Sequence, residues 1–177
     1  LKIFKAKKHY SDMERISWDD YFINIAQLAA CRSVCERLHV GCVLVRNNII
    51  LSTGYNGHIP GAPHVSLVRD NHEQSTIHAE INCIANCAKN GTCTKNSTAY
   101  VTHYPCINCA KALAAAGVEK IVYLKDYKND ELVPILLEGI QIEKIEPKLS
   151  LHLTEKQLPS QYHRDIHPTD RAADDYQ

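Results

Sequence analysis

Two short motifs carry the side chains whose types and spacing could do chemistry: His78-Ala79-Glu80 and, further along, Pro105-Cys106-Ile107-Asn108-Cys109. Cys106 and Cys109 are three positions apart, and the Ala-rich apolar run from Ala110 to Ala116, ended by Gly117, predicts a helix with both thiols on one face of its first turn. Pro105 suits the start of that helix, where a missing N–H costs nothing. A helix N-terminus favours anions, so both thiols are biased toward the thiolate form that binds zinc. His78 opens a second predicted helix, running through Ile81, Ile84, Ala85 and Ala88 to Asn90-Gly91. Two thiolates and a neutral imidazole offset the charge of Zn²⁺ and leave its fourth tetrahedral position to water, the arrangement of a catalytic zinc. Glu80, on the same turn as His78, is then placed to act on that water as a general base rather than as a ligand. An isolated C-x-x-C is equally a structural zinc knuckle or a redox pair. A structural site, however, closes with a fourth Cys or His, and a redox pair gives no reason for His-x-Glu. The combination points to metal-assisted hydrolysis.

The rest of the chain must position these groups. Its 177 residues are about one domain's worth and enough to bury a core. Twenty basic and twenty acidic residues give a formal net charge of zero, so no global field recruits nucleic acid. With no hydrophobic signal segment and no apolar run of membrane length, a cytoplasmic enzyme without a membrane or nucleic-acid partner is expected. Of the eight cysteines, Cys31, Cys35, Cys42, Cys83 and Cys87 fall in predicted helix or strand and read as small buried residues of a reducing compartment.

Residues 1–12 are basic and aromatic without a period and read as an N-terminal extension, residues 13–147 as the enzyme domain, and 148–177, with Pro159, Pro168 and many charges, as a tail or partner arm. Ser17 with Asp20 predicts a capped amphipathic helix reaching about Arg37. Strand-like runs at 40–45 and 49–53 flank the turn signal Asn47-Asn48. A loop rich in Gly, Pro, Asn and His spans 56–76 and leads into the His78 helix. A strand at 99–102, the Cys106 helix, a strand at 120–124, a helix at 131–137 and a strand at 140–145 follow. This alternation implies an α/β fold with parallel neighbours and helices on both faces of the sheet.

From about Ile16 to Ile145 the chain resembles the deoxycytidylate (dCMP) deaminases of the cytidine-deaminase superfamily. The resemblance lies in Arg32-Ser33-x-Cys35, Val40-Gly41-Cys42-Val43-Leu44-Val45, Gly54-Tyr55-Asn56-Gly57 with Pro60-Gly61, His78-Ala79-Glu80-Ile81-Asn82, Tyr100-Val101-Thr102 before Pro105-Cys106-x-x-Cys109-Ala110-Lys111, Ala116-Gly117-Val118, and Val122-Tyr123 with Tyr127. It implies a three-layer α/β/α sandwich with a mixed central sheet of about five strands, commonly a homohexamer. The implied reaction is zinc-dependent hydrolysis of dCMP to dUMP and ammonia. His78, Cys106 and Cys109 are the implied zinc ligands and Glu80 the proton carrier. The backbone of Ala79 would hold the base carbonyl, and the carbonyl of Tyr104 or His103 the exocyclic amine. Asn56 would meet the sugar, and Arg32, Tyr127 and Lys128 the 5′-phosphate.

Members of that family are often activated by dCTP and inhibited by dTTP, bound with Mg²⁺ between subunits. Gly57, Pro60 and Gly61 match the loop involved, and Asn86 and Lys89 border it. Some members carry a second, structural zinc. Here His64-Val65 and Thr76 stand where ligands are expected, leaving Cys35 alone at a matching place. His58, His64 and His72 are read as a polar loop, and one zinc is expected. Free cytidine, dCTP or another base would also fit the zinc chemistry, as would a silent zinc-stabilised module that binds a nucleotide.

Overall fold

The computed structural model describes residues 15–149 except 36, 70 and 71, with the backbone alone at 72. The predicted N-terminal extension and nearly all of the predicted tail lie outside the described residues. Helix α1 (Trp18–Ala30) is followed by the hairpin β1 (Gly41–Arg46) and β2 (Ile49–Tyr55). Short strands β3 (Gly57–His58), β4 (Val68–Arg69), β5 (His72–Glu73) and β6 (Thr76–Ile77) lead to α2 (Ala79–Lys89). Then come β7 (Ser97–His103), α3 (Ile107–Ala115), β8 (Val118–Lys125), α4 (Leu132–Leu136) and β9 (Gln141–Lys144).

The central sheet has five strands in the order β2-β1-β7-β8-β9. The β1 pairs with β2 and β7 are antiparallel, whereas β7, β8 and β9 run parallel. The antiparallel start follows from the hairpin turn, where Asn47 and Asn48 adopt φ of 53° and 60°, as a two-residue type I′ turn requires. Each parallel link passes through a helix, α3 or α4, as a crossover must.

Side-chain alternation divides the core into two layers. Val43, Val45, Tyr100 and Val122 meet Phe22, Ile23 and Ala26 of α1 on one face. Cys42, Leu44, Ala99, Val101 and Ile121 meet Ala79, Cys83 and Cys87 of α2, Ala110 and Leu113 of α3 and Val133 beside them on the other. This is the expected α/β/α sandwich, with α1 the helix on one side among the described residues.

Two glycines let helices approach closely from opposite faces. A Cβ on Gly41 would fall 1.9 Å from the Ala26 carbonyl oxygen of α1, and one on Gly54 would fall 2.4 Å from the Ala79 oxygen and 2.7 Å from the Cys83 nitrogen of α2. Asn82 and Asn86, one helical turn apart, donate from Nδ2 to the Tyr55 and Thr53 carbonyls at 2.8 and 3.1 Å. They thereby tie α2 to the edge strand β2.

Three expectations are corrected. Helix α1 stops at Ala30, not near Arg37. Ser33 leaves the helical path because its hydroxyl donates to the Asn56 carbonyl at 2.8 Å and accepts from the Cys35 amide at 3.2 Å, the local competition that serine offers a helix. Cys35 is therefore buried in a connecting segment rather than in a helix. The 56–76 segment is likewise no featureless loop: β3 pairs with β6 and β4 with β5. Glu73 holds it together, accepting from the Ser66 hydroxyl, from the Leu67 and Ser75 amides at 3.2 and 2.8 Å, and from the Ser75 hydroxyl at 2.6 Å.

Residues 148 and 149 also join the folded unit. The Lys148 amide donates to buried Asp20 at 3.1 Å, and Asn24 Nδ2 donates to the Leu149 carbonyl at 2.7 Å. No helix among the described residues is long and apolar enough to cross a membrane.

Candidate active site

Two helix N-termini converge to make the site. His78 and Cys106 are the N-cap residues of α2 and α3, both in extended conformation and neither using its side chain to cap. N-cap side chains normally bond the first-turn amides; here they turn away, toward each other. Cys109 joins them from the first turn of α3. The Cys109 and Cys106 sulfurs lie 3.3 and 3.6 Å from His78 Nδ1, and all three donor atoms fall within 4.8 Å of one another.

These distances suit zinc. Ligands at zinc–sulfur and zinc–nitrogen bond lengths of about 2.3 and 2.0–2.1 Å on a tetrahedron stand roughly 3.6 Å apart. Two thiols and one imidazole are soft and borderline donors that zinc accepts readily. His78 and Cys106 are reached by solvent while Cys109 is buried, so one side of the triad is open and the other closed.

Protonation without metal follows from this crowding. The Cys106 thiol is held down to about 3, first by the hydrogen bond from Cys109 and then by His78. Cys109 is pushed up by the adjoining Cys106 sulfur, by burial and by Glu80. His78 is raised chiefly through its bond to Cys106.

Glu80 sits in the first turn of α2 at 4% exposure. Burial pushes its carboxyl upward, against its own amide, His78 and Cys109, which pull it down. A carboxyl so placed can carry a proton to and from groups held at the triad. Beside it, Ala79 is the first helical residue, so its amide has no intrahelical acceptor and is available to a ligand oxygen.

The remaining expected site residues fall into three places. Arg32 lies in the turn after α1 with its guanidinium carbon 5.9 Å from the Tyr55 ring centre. Asn56 next to Tyr55 is buried, and its amide spans the preceding loop, donating to the Leu38 carbonyl at 2.7 Å and accepting from the Val40 amide at 2.8 Å. Tyr104 is buried against the Tyr123 ring of β8, centroids 5.0 Å apart, its amide donating to the Lys125 carbonyl at 2.8 Å. Tyr127 and Lys128 follow β8, with the Lys128 ammonium 5.8 Å from the Tyr127 ring centre and the His103 ring 6.2 Å away on the same tyrosine.

Among the residues matched to an effector loop, Gly57 pairs with Ile77, Pro60 and Gly61 form an exposed turn, Asn86 bonds Thr53, and Lys89 ends α2 in solvent. His58 stacks on His64 and reaches the Ser75 hydroxyl at 3.2 Å. Asn82 stands in the His78 motif but received no role from the sequence; its bond to Tyr55 links the Glu80 helix to the Asn56 loop. Its place one turn beyond His78 was the available signal.

Comparison with known proteins agrees with this site. Residues 16–125 match the family model described as "Cytidine and deoxycytidylate deaminase zinc-binding region". ComE operon protein 2 of Bacillus subtilis is 44% identical over 140 residues, covering 76% of this chain and 74% of that protein. Deoxycytidylate deaminase of Mycobacterium phage D29 is 38% identical over 129 residues, covering 64% of this chain and 99% of that one. The solved structure of dCMP deaminase from cyanophage S-TIM5 in complex with dCMP and dUMP superposes with a TM-score of 0.65 at 31% identity, over 71% of this chain and 95% of that chain. The match spans the triad and the whole sheet as far as β8, so the chain belongs to the zinc-dependent cytidine and deoxycytidylate deaminase family.

Proposed function

We propose that the protein catalyses hydrolytic deamination of dCMP to dUMP and ammonia, the dUMP feeding thymidine nucleotide synthesis. The observation that carries this reading is the His78–Cys106–Cys109 triad with buried Glu80 beside it, a donor set for catalytic zinc with a proton carrier at its edge. The likeness to relatives named deoxycytidylate deaminase supports dCMP as the substrate.

His78, Cys106 and Cys109 would hold the zinc, which supplies when bound a water nucleophile ionised near neutral pH. Glu80 takes the proton of the attacking water and gives it to N3 of the cytosine ring as attack occurs at C4. A second proton moves through Glu80 to the departing amino group, so one water enters and one ammonia leaves. The Ala79 amide fixes the base carbonyl, and the carbonyl of Tyr104 or His103 accepts from the exocyclic amine. Asn56 braces the sugar side; Arg32, Tyr127 and Lys128 serve the phosphate. Buried polar groups left unpaired by a wrong base reject it strongly.

The same reading extends to a homohexamer in the cytoplasm, regulated by dCTP and dTTP with Mg²⁺ at Gly57, Pro60, Gly61, Asn86 and Lys89. The free state of all eight cysteines is in keeping with a reducing compartment. The test is ammonia release, with product identified, from zinc-loaded protein given dCMP, dCTP, CMP and deoxycytidine in parallel, with and without dCTP or dTTP as effector. Turnover confined to dCMP is expected; turnover of another member of the set alone reassigns the substrate.

A further inference from the structure

The ring of His103, as distinct from its carbonyl, has no part in the scheme above. His103 ends β7, three residues before Cys106, at the carboxyl ends of the parallel strands β7 and β8, where α/β sheets place their ligands. Side chains two apart on a strand share a face. Val101 faces the α2–α4 layer, so His103 faces the layer that carries the zinc ligands.

Its hydrogen bonds define which ring nitrogen is offered. The Thr102 hydroxyl accepts from the Gly41 amide at 3.1 Å and lies 2.9 Å from His103 Nδ1. Thr102 is 4% exposed, and among the described residues Nδ1 is the acceptor within reach of its hydroxyl hydrogen. A buried hydroxyl donates where it can, so Nδ1 accepts and Nε2 carries the ring proton. That Nε2–H has no hydrogen-bond partner among the described residues. Burial, with Lys125 beside it, holds the imidazole down to about 4, and the ring stays neutral at working pH.

The surroundings select the acceptor. Lys125 pairs with His103 across the ladder, and Lys128 stands over the Tyr127 ring that His103 also touches. Asp126, next to Lys125 in sequence, is paired to Lys144 and bonded by Asn129, and Asp130 accepts from the Leu132 amide at 2.9 Å. An anionic oxygen therefore meets donors and positive charge here.

We propose that His103 is a specificity residue, its Nε2–H donating to a phosphate oxygen of the nucleotide. The inference rests on the dCMP reading given above. A hydrogen bond to a charged oxygen carries a selectivity of about tenfold or more.

The test compares wild type, His103→Leu and His103→Gln, each with zinc content and melting temperature recorded. KM and kcat are measured on dCMP, and competitive inhibition by dUMP and by deoxyuridine. His103→Leu, which keeps the backbone carbonyl, is expected to raise KM for dCMP and the dUMP inhibition constant about tenfold and the deoxyuridine constant by much less. His103→Gln, whose Nε2 restores a donor, recovers most of the loss. Equal weakening of dUMP and deoxyuridine, a fall in kcat alone, or no change in either variant overturns the inference. Failure of wild type to turn over dCMP overturns the functional reading and this inference together, whereas normal turnover with an indifferent His103→Leu overturns this inference alone.

Discussion

Adding one methyl group at Gly54 should disable the site from the far side of α2. A Cβ there would lie 2.4 Å from the Ala79 oxygen, 2.7 Å from the Cys83 nitrogen and 3.0 Å from the Cys83 Cα. All three are helix backbone atoms, so no side chain can swing aside. Non-bonded carbon contacts settle at about 3.5 Å or more, which requires α2 and β2 to separate by about 1 Å. His78 and Glu80 ride on the end of α2 that is pushed, while Cys106 and Cys109 stay with α3. The present sulfur–nitrogen distances of 3.3 and 3.6 Å already match a zinc tetrahedron, and a metal site tolerates errors of only about 0.2 Å in its bonds. Gly54→Ala is therefore expected to lose zinc affinity and to cut kcat/KM about 100-fold, beside an overpacking cost of about 1–3 kcal/mol. Chelator competition reads the affinity, steady-state kinetics the activity and thermal unfolding the stability. A folded Gly54→Ala protein with wild-type zinc affinity and activity would refute the reasoning, because β2 would then have yielded in place of α2.

Other perturbations separate the remaining parts. Asn82→Ala removes the donor that ties α2 to the Tyr55 carbonyl and should lower kcat/KM more than Asn86→Ala, which removes the similar but exposed bond to Thr53; kinetics on both variants, at matched zinc content, check the order. Asp20→Ala leaves the Lys148 amide without its carboxylate and should cost about 1–3 kcal/mol in denaturant unfolding while sparing catalysis. The imidazole of His103 is lowered to about 4 in the fold from an ordinary value near 6.5. Between these values the unfolded chain binds the extra proton, so this contribution to stability is present above about pH 6.5 and is lost as pH falls toward 4. Unfolding followed across that window should show a slope that shrinks in His103→Gln, and an NMR titration of the ring should have its midpoint well below 6.

What the sequence disclosed and what it hid divide along the range of the interactions. His78, Glu80, Cys106 and Cys109 were legible because zinc ligation restricts both residue type and local spacing, and each pair sits on one helix turn. The sheet was legible from β7 onward because strand, helix and strand alternate with short links, and at Asn47-Asn48 because a two-residue turn needs positive φ at both positions. The end of α1 was not. It depends on Ser33 meeting the carbonyl of Asn56, 23 residues away. The ladders within 56–76 are two residues long, too short to leave a period, and are organised by the single carboxylate of Glu73. The docking of 148 and 149 on Asp20 and Asn24 joins positions more than a hundred residues apart. The side chains of Asn82 and His103 take their roles from hydrogen bonds, with the Tyr55 carbonyl and the Thr102 hydroxyl, that no local spacing discloses.

The most direct test of the central claim is dUMP and ammonia formation from dCMP by wild type and Glu80→Gln, both with zinc content quantified. The account predicts turnover by the wild type, and in Glu80→Gln a full complement of zinc, an unchanged melting temperature and a rate lower by about 10²–10⁴-fold. A Glu80→Gln protein as active as wild type would show that the proton moves by another route. A zinc-loaded wild type inert toward dCMP would contradict the account at its centre.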